Sequence, residues 1–368
     1  MSARSFTRVG IVGAGQLGRM MALAGIPLGL RCVFLDRGAD SPGAAVAPIL
    51  LGELEDARLL RDLASQSDVL TFDWDNISAG ALAPLAKRVV IRPPPAALEH
   101  SQDRLHEKTL FSRLKIPVTP HAAVDSRADL DRAVRKLGLP GVLKTRRLGY
   151  DGKGQVVLRD AAQLESAGAL VGVGGLIYEK FQDFRLEVSI VGARAPDGRC
   201  ALYPLSANTH SGGVLRYGIA PFHNAGLERR AAVYFKRVAA ALDYVGVLAI
   251  EFFVVGGKLM ANEMAPRVHN SGHWTIEGCA TSQFENHMRA ICGLPLGSTR
   301  ALGHSAMVNF LGCMPDRDRL LAIDGLAYHD YGKEPRPGRK LGHCTILKPL
   351  AKQRDSALRN VLKLVHWR

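Results

Sequence analysis

The chain has no pair of cysteines at metal-ligand spacing. Its six, Cys32, Cys200, Cys279, Cys292, Cys313 and Cys344, are scattered over 368 residues. That excludes a zinc knuckle or a disulfide framework and predicts reduced thiols in the cytoplasm. No run approaches the roughly 20 apolar residues of a membrane-spanning helix. Met1 to Arg8 lead into a strand without the apolar core of a signal peptide, so neither membrane nor secretion is expected. A continuous basic helix and an RNA-binding signature are also missing. The net charge of +14 therefore predicts an anionic small-molecule substrate or a solvated basic surface, with no nucleic-acid partner. What is present, 47% apolar and 22% charged residues, suits a globular protein of two or three domains.

Val9 to Val12 reads as a short strand. It is followed by Gly13-Ala14-Gly15-Gln16-Leu17-Gly18, a helix to about Leu28, and a second strand ending on Asp36. This is a βαβ nucleotide-binding pattern, read alone a dinucleotide fingerprint, although such glycine turns also hold other phosphates at a helix N-terminus. Strands and helices go on alternating to Val90, which predicts a parallel sheet with helices on both faces. Thr71 to Asn76, including Asp75, lies just past a strand end, where open α/β sheets bind ligands. Pro93-Pro94-Pro95 marks the exit from this first part.

A helix is expected from Ser101 to Leu114, another from Asp125 to Leu137, and a strand from Gly141 to Lys144. Lys144, at that strand's end, fits either a phosphate contact or a solvated position. In Gly149-Tyr150-Asp151-Gly152-Lys153-Gly154-Gln155, three glycines in six residues let backbone N–H groups turn toward an anion. A hairpin turn there is compatible with the same residues.

Val245 to Val254 and Leu259 to Glu263 predict a hairpin closed at Gly256-Gly257. A three-residue loop including Lys258 would set Glu251 opposite Glu263, where like charges repel unless a cation sits between them. A two-residue loop would set Glu251 opposite Asn262. Two carboxylates beside an amide oxygen suit Mg²⁺ held jointly with phosphates. An edge hairpin with two solvated acids fits the spacing equally. Ala261 to Thr275 then packs one acid, one arginine, two histidines and two amides into fifteen residues, poor material for a core. Near the end, Lys333 to Lys340 places four cations in a proline-stiffened loop that fits a phosphate clamp or an exposed charged loop.

In order and content these motifs resemble the ATP-grasp superfamily, and within it the N5-carboxyaminoimidazole ribonucleotide synthetases. The resemblance is carried by Gly-Gln-Leu-Gly-Arg-Met at 15–20, Gly-Tyr-Asp-Gly-Lys-Gly-Gln at 149–155, Asn262 to Thr275, and Lys333 to His343. It implies an α/β ATP-grasp fold in three parts. These are a Rossmann-like domain over 1–100, an ATP-grasp domain over 101–296 with a lid near 118–182, and a small β-rich domain over 297–368.

It assigns ATP to Arg104, Lys144, Gly149 to Gln155, Glu179, Glu187, His210, Asn262 and Glu263, with Mg²⁺ on Glu251 and Glu263. The ribonucleotide falls to Gln16, Leu17, Asp75, Tyr150, Asp151, Lys153, Arg267, His269, Asn270, Ser271, Lys333, Arg339 and Lys340. The chemistry implied is ATP- and bicarbonate-dependent carboxylation of an amine by a cytoplasmic homodimer. Asp151, Lys153, Arg267, His269 and His273 are its catalytic candidates, and Asp151, His269 and His273 are unranked as proton acceptors. Two positions depart from the family pattern: Asp75 stands where a glutamate is usual, and Gly212 where an aspartate is common. The rival expectations are a formate-dependent glycinamide ribonucleotide ligase with the same ATP residues, and an NAD-dependent oxidoreductase built on Gly13 to Gly18 and Asp36.

Overall fold

The computed structural model describes residues 6–149, 154–167, 171, 175–184 and 186–367. Near its start, short apolar strands separated by helices build a parallel sheet. They are β1 (Arg8–Val12), β2 (Arg31–Asp36), β3 (Ile49–Leu51), β4 (Val69–Phe72) and β5 (Val90–Ile91), in the order β3-β2-β1-β4-β5. β4 is buried along its whole length, as expected of a strand covered on both faces. The order reverses beside β1, so the carboxyl ends of β1 and β4 frame an open crevice.

An antiparallel sheet follows: β6 (His121–Val124), β7 (Gly141–Thr145), β8 (Gln155–Leu158) and β9 (Leu176–Lys180), in the order β6-β9-β7-β8. The large sheet takes β10 (Leu186–Arg194), β11 (Cys200–Leu202), β12 (Ser206–Ser211), β13 (Val214–Ala220), β14 (Gly246–Val255), β15 (Lys258–Ala265), β16 (His304–Leu311), β17 (Leu326–Asp330) and β18 (Lys340–Lys348). Its order is β15-β14-β10-β12-β13-β16-β18-β17, with β11 beside β10. The C-terminal strands do not close on themselves. β16 pairs with β13, setting Tyr217 opposite Val308, and so covers what would be an open sheet edge. The last helix, Ala351–Leu364, lays Leu358 and Val361 on β16 and β18 around Phe310 and Ile346.

Two local departures from the sequence reading bear on the site. The helix expected over Ser101 to Leu114 begins only at Arg104 and runs to Arg113, after a separate helix Pro95–Ser101 that was not expected. The carboxylate of Asp103 caps the helix that starts at Arg104 by accepting from the Leu105 and His106 N–H groups while it pairs with Arg146 at 2.7 Å. The hairpin β14–β15 turns on the two residues Gly256 and Gly257, with φ of 55° and 74°. That turn alone would bring Asn262 opposite Glu251. A β-bulge intervenes: Phe252 pairs with Ala261 but Glu251 pairs with Glu263, leaving Asn262 as the extra residue.

Candidate active site

The glycine turn after β1 does hold an anion at the N-terminus of the helix Gln16–Gly25, but the anion is the protein's own. Asp73 Oδ2 accepts from Gly15 N at 2.7 Å and Gly18 N at 3.2 Å. A Cβ on Gly13 would stand 1.8 Å from Asp73 Oδ1. Asp36, the acid of that fingerprint, instead accepts from Ala14 N at 2.6 Å and Ser41 Oγ at 2.7 Å. Both anchors of the dinucleotide reading are thus filled from within, which removes its physical basis. Burial outweighs the two backbone bonds and lifts the Asp73 carboxyl to about 6.

A cavity of about 710 Å³ opens between the crevice of the parallel sheet, the small sheet and the large sheet. On one side Val142 and Val157 line it together with Phe184, whose ring stacks on Phe253 at 4.2 Å. Beyond them Lys144 Nζ donates to Glu179 Oε2 at 3.0 Å, and Lys108 Nζ stands 3.3 Å from Glu179 Oε1. Burial alone would raise Glu179. The two lysines, with Arg104, instead hold it down at about 2. Lys144 is drawn below the ordinary lysine range, first by burial and then by Arg104 and Lys108, which oppose the pull of Glu179.

Farther in, the bulged hairpin presents its acids. Glu251 is buried, and burial followed by the charge of Glu263 raises it to about 7. A buried carboxylate facing a second one calls for a cation. Arg104 supplies part of it, 3.3 Å from Glu263, and the donor set of two carboxylates and the Asn262 amide fits Mg²⁺. Among the described residues, donor atoms of Glu187, His210 and Glu251 also lie within 4.8 Å of one another. His210 Nδ1 is 3.2 Å from Glu187. Burial would lower that imidazole, but the Glu187 hydrogen bond and the charges of Glu251, Glu187 and Glu263 raise it on balance.

The remaining wall comes from the segment after β15. Arg267 Nη2 donates to Asp75 Oδ2 at 2.8 Å, joining two candidates 192 residues apart. The shorter acid at 75 therefore still reaches a cation. Asn270 and Asn309 exchange amide hydrogen bonds of 3.0 and 2.7 Å. His269, held by Ser271, lies 3.8 Å from Glu251, and His273, Lys340, Leu17 and Gln16 complete the lining.

The cavity thus brings together Gln16, Leu17, Asp75, Arg104, Lys144, Gly149, Gln155, Glu179, Glu187, His210, Glu251, Asn262, Glu263, Arg267, His269, Asn270, His273 and Lys340. Ser271 and Gly154 are not on its wall. Ser271 is buried with its hydroxyl on His269, and Gly154 faces Thr145. Lys333 reaches the cavity only through Gln16, to which it donates, and Arg339 turns back onto the Glu334 carbonyl at 3.0 Å. Tyr150, Asp151, Gly152 and Lys153 lie outside the described residues.

Sequence reading gave no role to Asp73, Glu107, Lys108 or Phe184. Charges on a helix read as solvated, yet Glu107 and Lys108 are 2% and 1% exposed. The only available signal was their place beside Arg104 on one turn.

Residues 109–284 match the ATP-grasp domain, 6–102 the ribonucleotide synthetase preATP-grasp domain, and 305–357 the phosphoribosylaminoimidazole carboxylase C-terminal domain. The chain is 49% identical over 339 residues, 92% of this chain and 94% of the other, to an N5-carboxyaminoimidazole ribonucleotide synthase of Pseudomonas aeruginosa. A crystal structure of the Thermus thermophilus N5-carboxyaminoimidazole ribonucleotide synthetase superposes with a TM-score of 0.94 at 46% identity, covering 98% of this chain and 99% of that one. An Aspergillus clavatus N5-carboxyaminoimidazole synthase, solved with ADP and 5-aminoimidazole ribonucleotide, superposes at 0.92 with 27% identity, covering 98% and 99%. With matched domains in the same order and an ATP-grasp cavity whose acids, lysines and arginine stand as described, the chain belongs to the N5-carboxyaminoimidazole ribonucleotide synthase family of ATP-grasp ligases.

Proposed function

We propose that this chain uses ATP and bicarbonate to carboxylate the exocyclic amine of 5-aminoimidazole ribonucleotide, releasing ADP and phosphate, in purine biosynthesis. The observation that carries the reading is one continuous cavity. Its wall carries Lys144 and Glu179 together with Arg267, His269 and Lys340.

A bicarbonate oxygen attacks the γ-phosphorus, the bond to the ADP oxygen breaks, and carboxyphosphate results. The amine nitrogen then bonds to the carboxyl carbon as phosphate leaves and the amine gives up a proton. Lys144 and Arg104 offset charge on the phosphoryl oxygens as they move between donor and acceptor. Glu251 and Glu263, with Asn262, would hold Mg²⁺, which supplies further neutralisation of the triphosphate when bound. Phe184 and Phe253 offer an apolar slot for the purine, and the Glu187 carboxylate an acceptor for ribose hydroxyls. Carboxyphosphate is lost if water reaches it, so the cavity must be shielded during the reaction. The loop 149–155 is our candidate for part of that shield.

We further propose a cytoplasmic homodimer divided near residues 100 and 296, in keeping with six unpaired cysteines and with the domain matches. No helix among the described residues is long and apolar enough to cross a membrane. The deciding experiment is phosphate release from MgATP in bicarbonate buffer. Release that depends on 5-aminoimidazole ribonucleotide supports the assignment. Release that depends instead on glycinamide ribonucleotide and formate transfers it to the rival ligase. Sedimentation tests the dimer.

A further inference from the structure

His269 and His273 both line the cavity, and a base that takes the amine proton must offer a free lone pair. The hydrogen bonds around Gln283 decide where the lone pair of His273 points. Gln283 is fully buried at the start of the helix Gln283–Ile291, its backbone N–H bonded to Thr275 Oγ1 at 2.9 Å. Its amide spans the backbone of His269: Oε1 accepts from His269 N at 2.9 Å and Nε2 donates to His269 O at 2.6 Å.

A backbone N–H can only donate and a carbonyl can only accept, so the amide has one possible orientation. Its second Nε2 hydrogen then faces His273 Nδ1, 3.2 Å away. Nδ1 must accept, and in a neutral imidazole the proton is left on Nε2. The ring has no room to tip out of this arrangement. It is 1% exposed, packed against Phe284 at 5.4 Å and His343 at 4.9 Å between centroids. A Cβ on the neighbouring Gly272 would stand 2.6 Å from Gln283 Oε1, so the loop closes on the amide. Burial, followed by His329, Lys340 and Arg267, opposes a second proton on the ring against the His269 backbone, which favours one, while His343 packs on its face.

We propose that Gln283 is a positioning residue that locks His273 as an Nε2–H hydrogen-bond donor on the cavity wall, serving an anionic oxygen of the substrates and not receiving the amine proton. That oxygen is a phosphate oxygen of the ribonucleotide or a carboxyl oxygen on its way to the amine. The inference rests on the ribonucleotide occupying this cavity, whereas the ring's protonation pattern is readable in the free protein.

The test begins with ¹H–¹⁵N spectra of the full chain labelled in histidine, with His273 assigned by its loss in His273→Gln. The expected result is the neutral Nε2–H pattern, unchanged between pH 6 and 8. Gln283→Glu, which keeps size and shape but presents an acceptor to Nδ1, should move it to the Nδ1–H or doubly protonated pattern. Kinetics follow with His273→Gln, whose amide N–H falls near the Nε2 position. kcat should stay within about tenfold of the parent, because removing a true general base costs about 10²–10⁴. In Gln283→Glu, KM should rise for the ribonucleotide if the donor serves its phosphate, or for bicarbonate if it serves the carboxyl. An Nδ1–H pattern in the parent protein overturns the proposal. So does a kcat loss beyond a hundredfold in folded His273→Gln, or a Gln283→Glu variant with both KM values unmoved. Absence of ribonucleotide-dependent turnover in the parent would count against the proposed function alone, since the spectra are independent of it.

Discussion

Replacing Glu179 by glutamine isolates the buried ion cluster at the Lys144 side of the cavity. Glu179 is the shared partner of Lys108 and Lys144, whose side chains are 1% and 11% exposed. The amide keeps the shape and removes the charge, leaving two buried ammonium groups facing each other. The stabilisation held in the acid follows from its displacement, from the usual 4.5 to about 2, which corresponds to about 3 kcal/mol. Breaking a buried pair by removing one partner costs about 3–5 kcal/mol. Taking ~4 kcal/mol and a chain that unfolds as one unit, Tm should fall by about 5 °C.

The pH dependence has a definite sign. Glu179 is depressed, so its contribution is complete above its unfolded value near 4.5 and is lost as pH falls toward 2. The gap between parent and variant should therefore be widest at neutral pH and narrow below pH 4.5. Triphosphate brings negative charge back to the lysines, so added ATP should raise Tm more in the variant than in the parent. Differential scanning calorimetry measures all three. A variant within 1 °C of the parent at pH 7, or one whose deficit ATP fails to reduce, would refute the reasoning.

Substitutions at three further positions probe the rest of the cavity. Glu107 Oε1 accepts from Met264 N at 2.6 Å, on the free edge of the strand carrying Asn262 and Glu263. Glu107→Ala leaves that N–H unpaired at a cost of about 1–3 kcal/mol. It should weaken Mn²⁺ binding, followed by electron paramagnetic resonance, whereas Glu107→Gln should retain it; equal binding in all three proteins would remove Glu107 from this role. Arg267→Ala breaks the bond to Asp75 and should lower ribonucleotide-dependent phosphate release by about 10²-fold or more. ADP affinity by calorimetry should be unchanged, and near-normal turnover would contradict the assignment. Lys333 is pushed down to about 8, by burial first and then by Arg339. It loses its charge as pH rises through that value, so KM for the ribonucleotide should climb between pH 8 and 9.5. Lys333→Met should show a KM about tenfold higher and flat over the same range; a rise that persists in the variant would assign the pH effect elsewhere.

How far the site could be read in the sequence is clearest at the hairpin. Of the two turn lengths the sequence left open, the two-residue one forms, yet the pairing of Glu251 with Glu263 is the one tied to the longer loop. Two glycines at positive φ make the shorter turn, and the bulge at Asn262 restores the pairing. Turn length is a local property written in the glycines. A bulge depends on what presses against the strand, here Glu107 and the Pro117 carbonyl on the free edge of β15. Lys108 fails for a related reason. On a helix rich in charge nothing marks which cation will be buried, because Glu179, its partner, comes from a strand 71 residues later. Arg267 and Asp75 were each singled out, yet their pairing required the parallel sheet and the segment after β15 to meet across the cavity.

The glycine turn after β1 shows why a motif has to be read together with whatever fills it. Tight turn, helix N-terminus and an acid at the end of β2 all form as the pattern demands, yet the acids sit where a pyrophosphate and a ribose would bind. A helix N-terminus satisfied by a buried carboxyl attracts no second anion. The consequence runs across the whole cavity. The parallel sheet offers a ligand a wall carrying Asp73, Asp36 and the neutral Gln16, while the cations Arg267 and Lys340 stand on the opposite segments. On the proposed function a phosphorylated substrate would be drawn toward these cations, with the glycine turn contributing shape rather than charge. Under the function proposed above, the electrostatic division that defeats the dinucleotide reading would turn the ribonucleotide's phosphate toward the cations Arg267 and Lys340, which an Arg267→Ala variant with unchanged ribonucleotide KM would contradict.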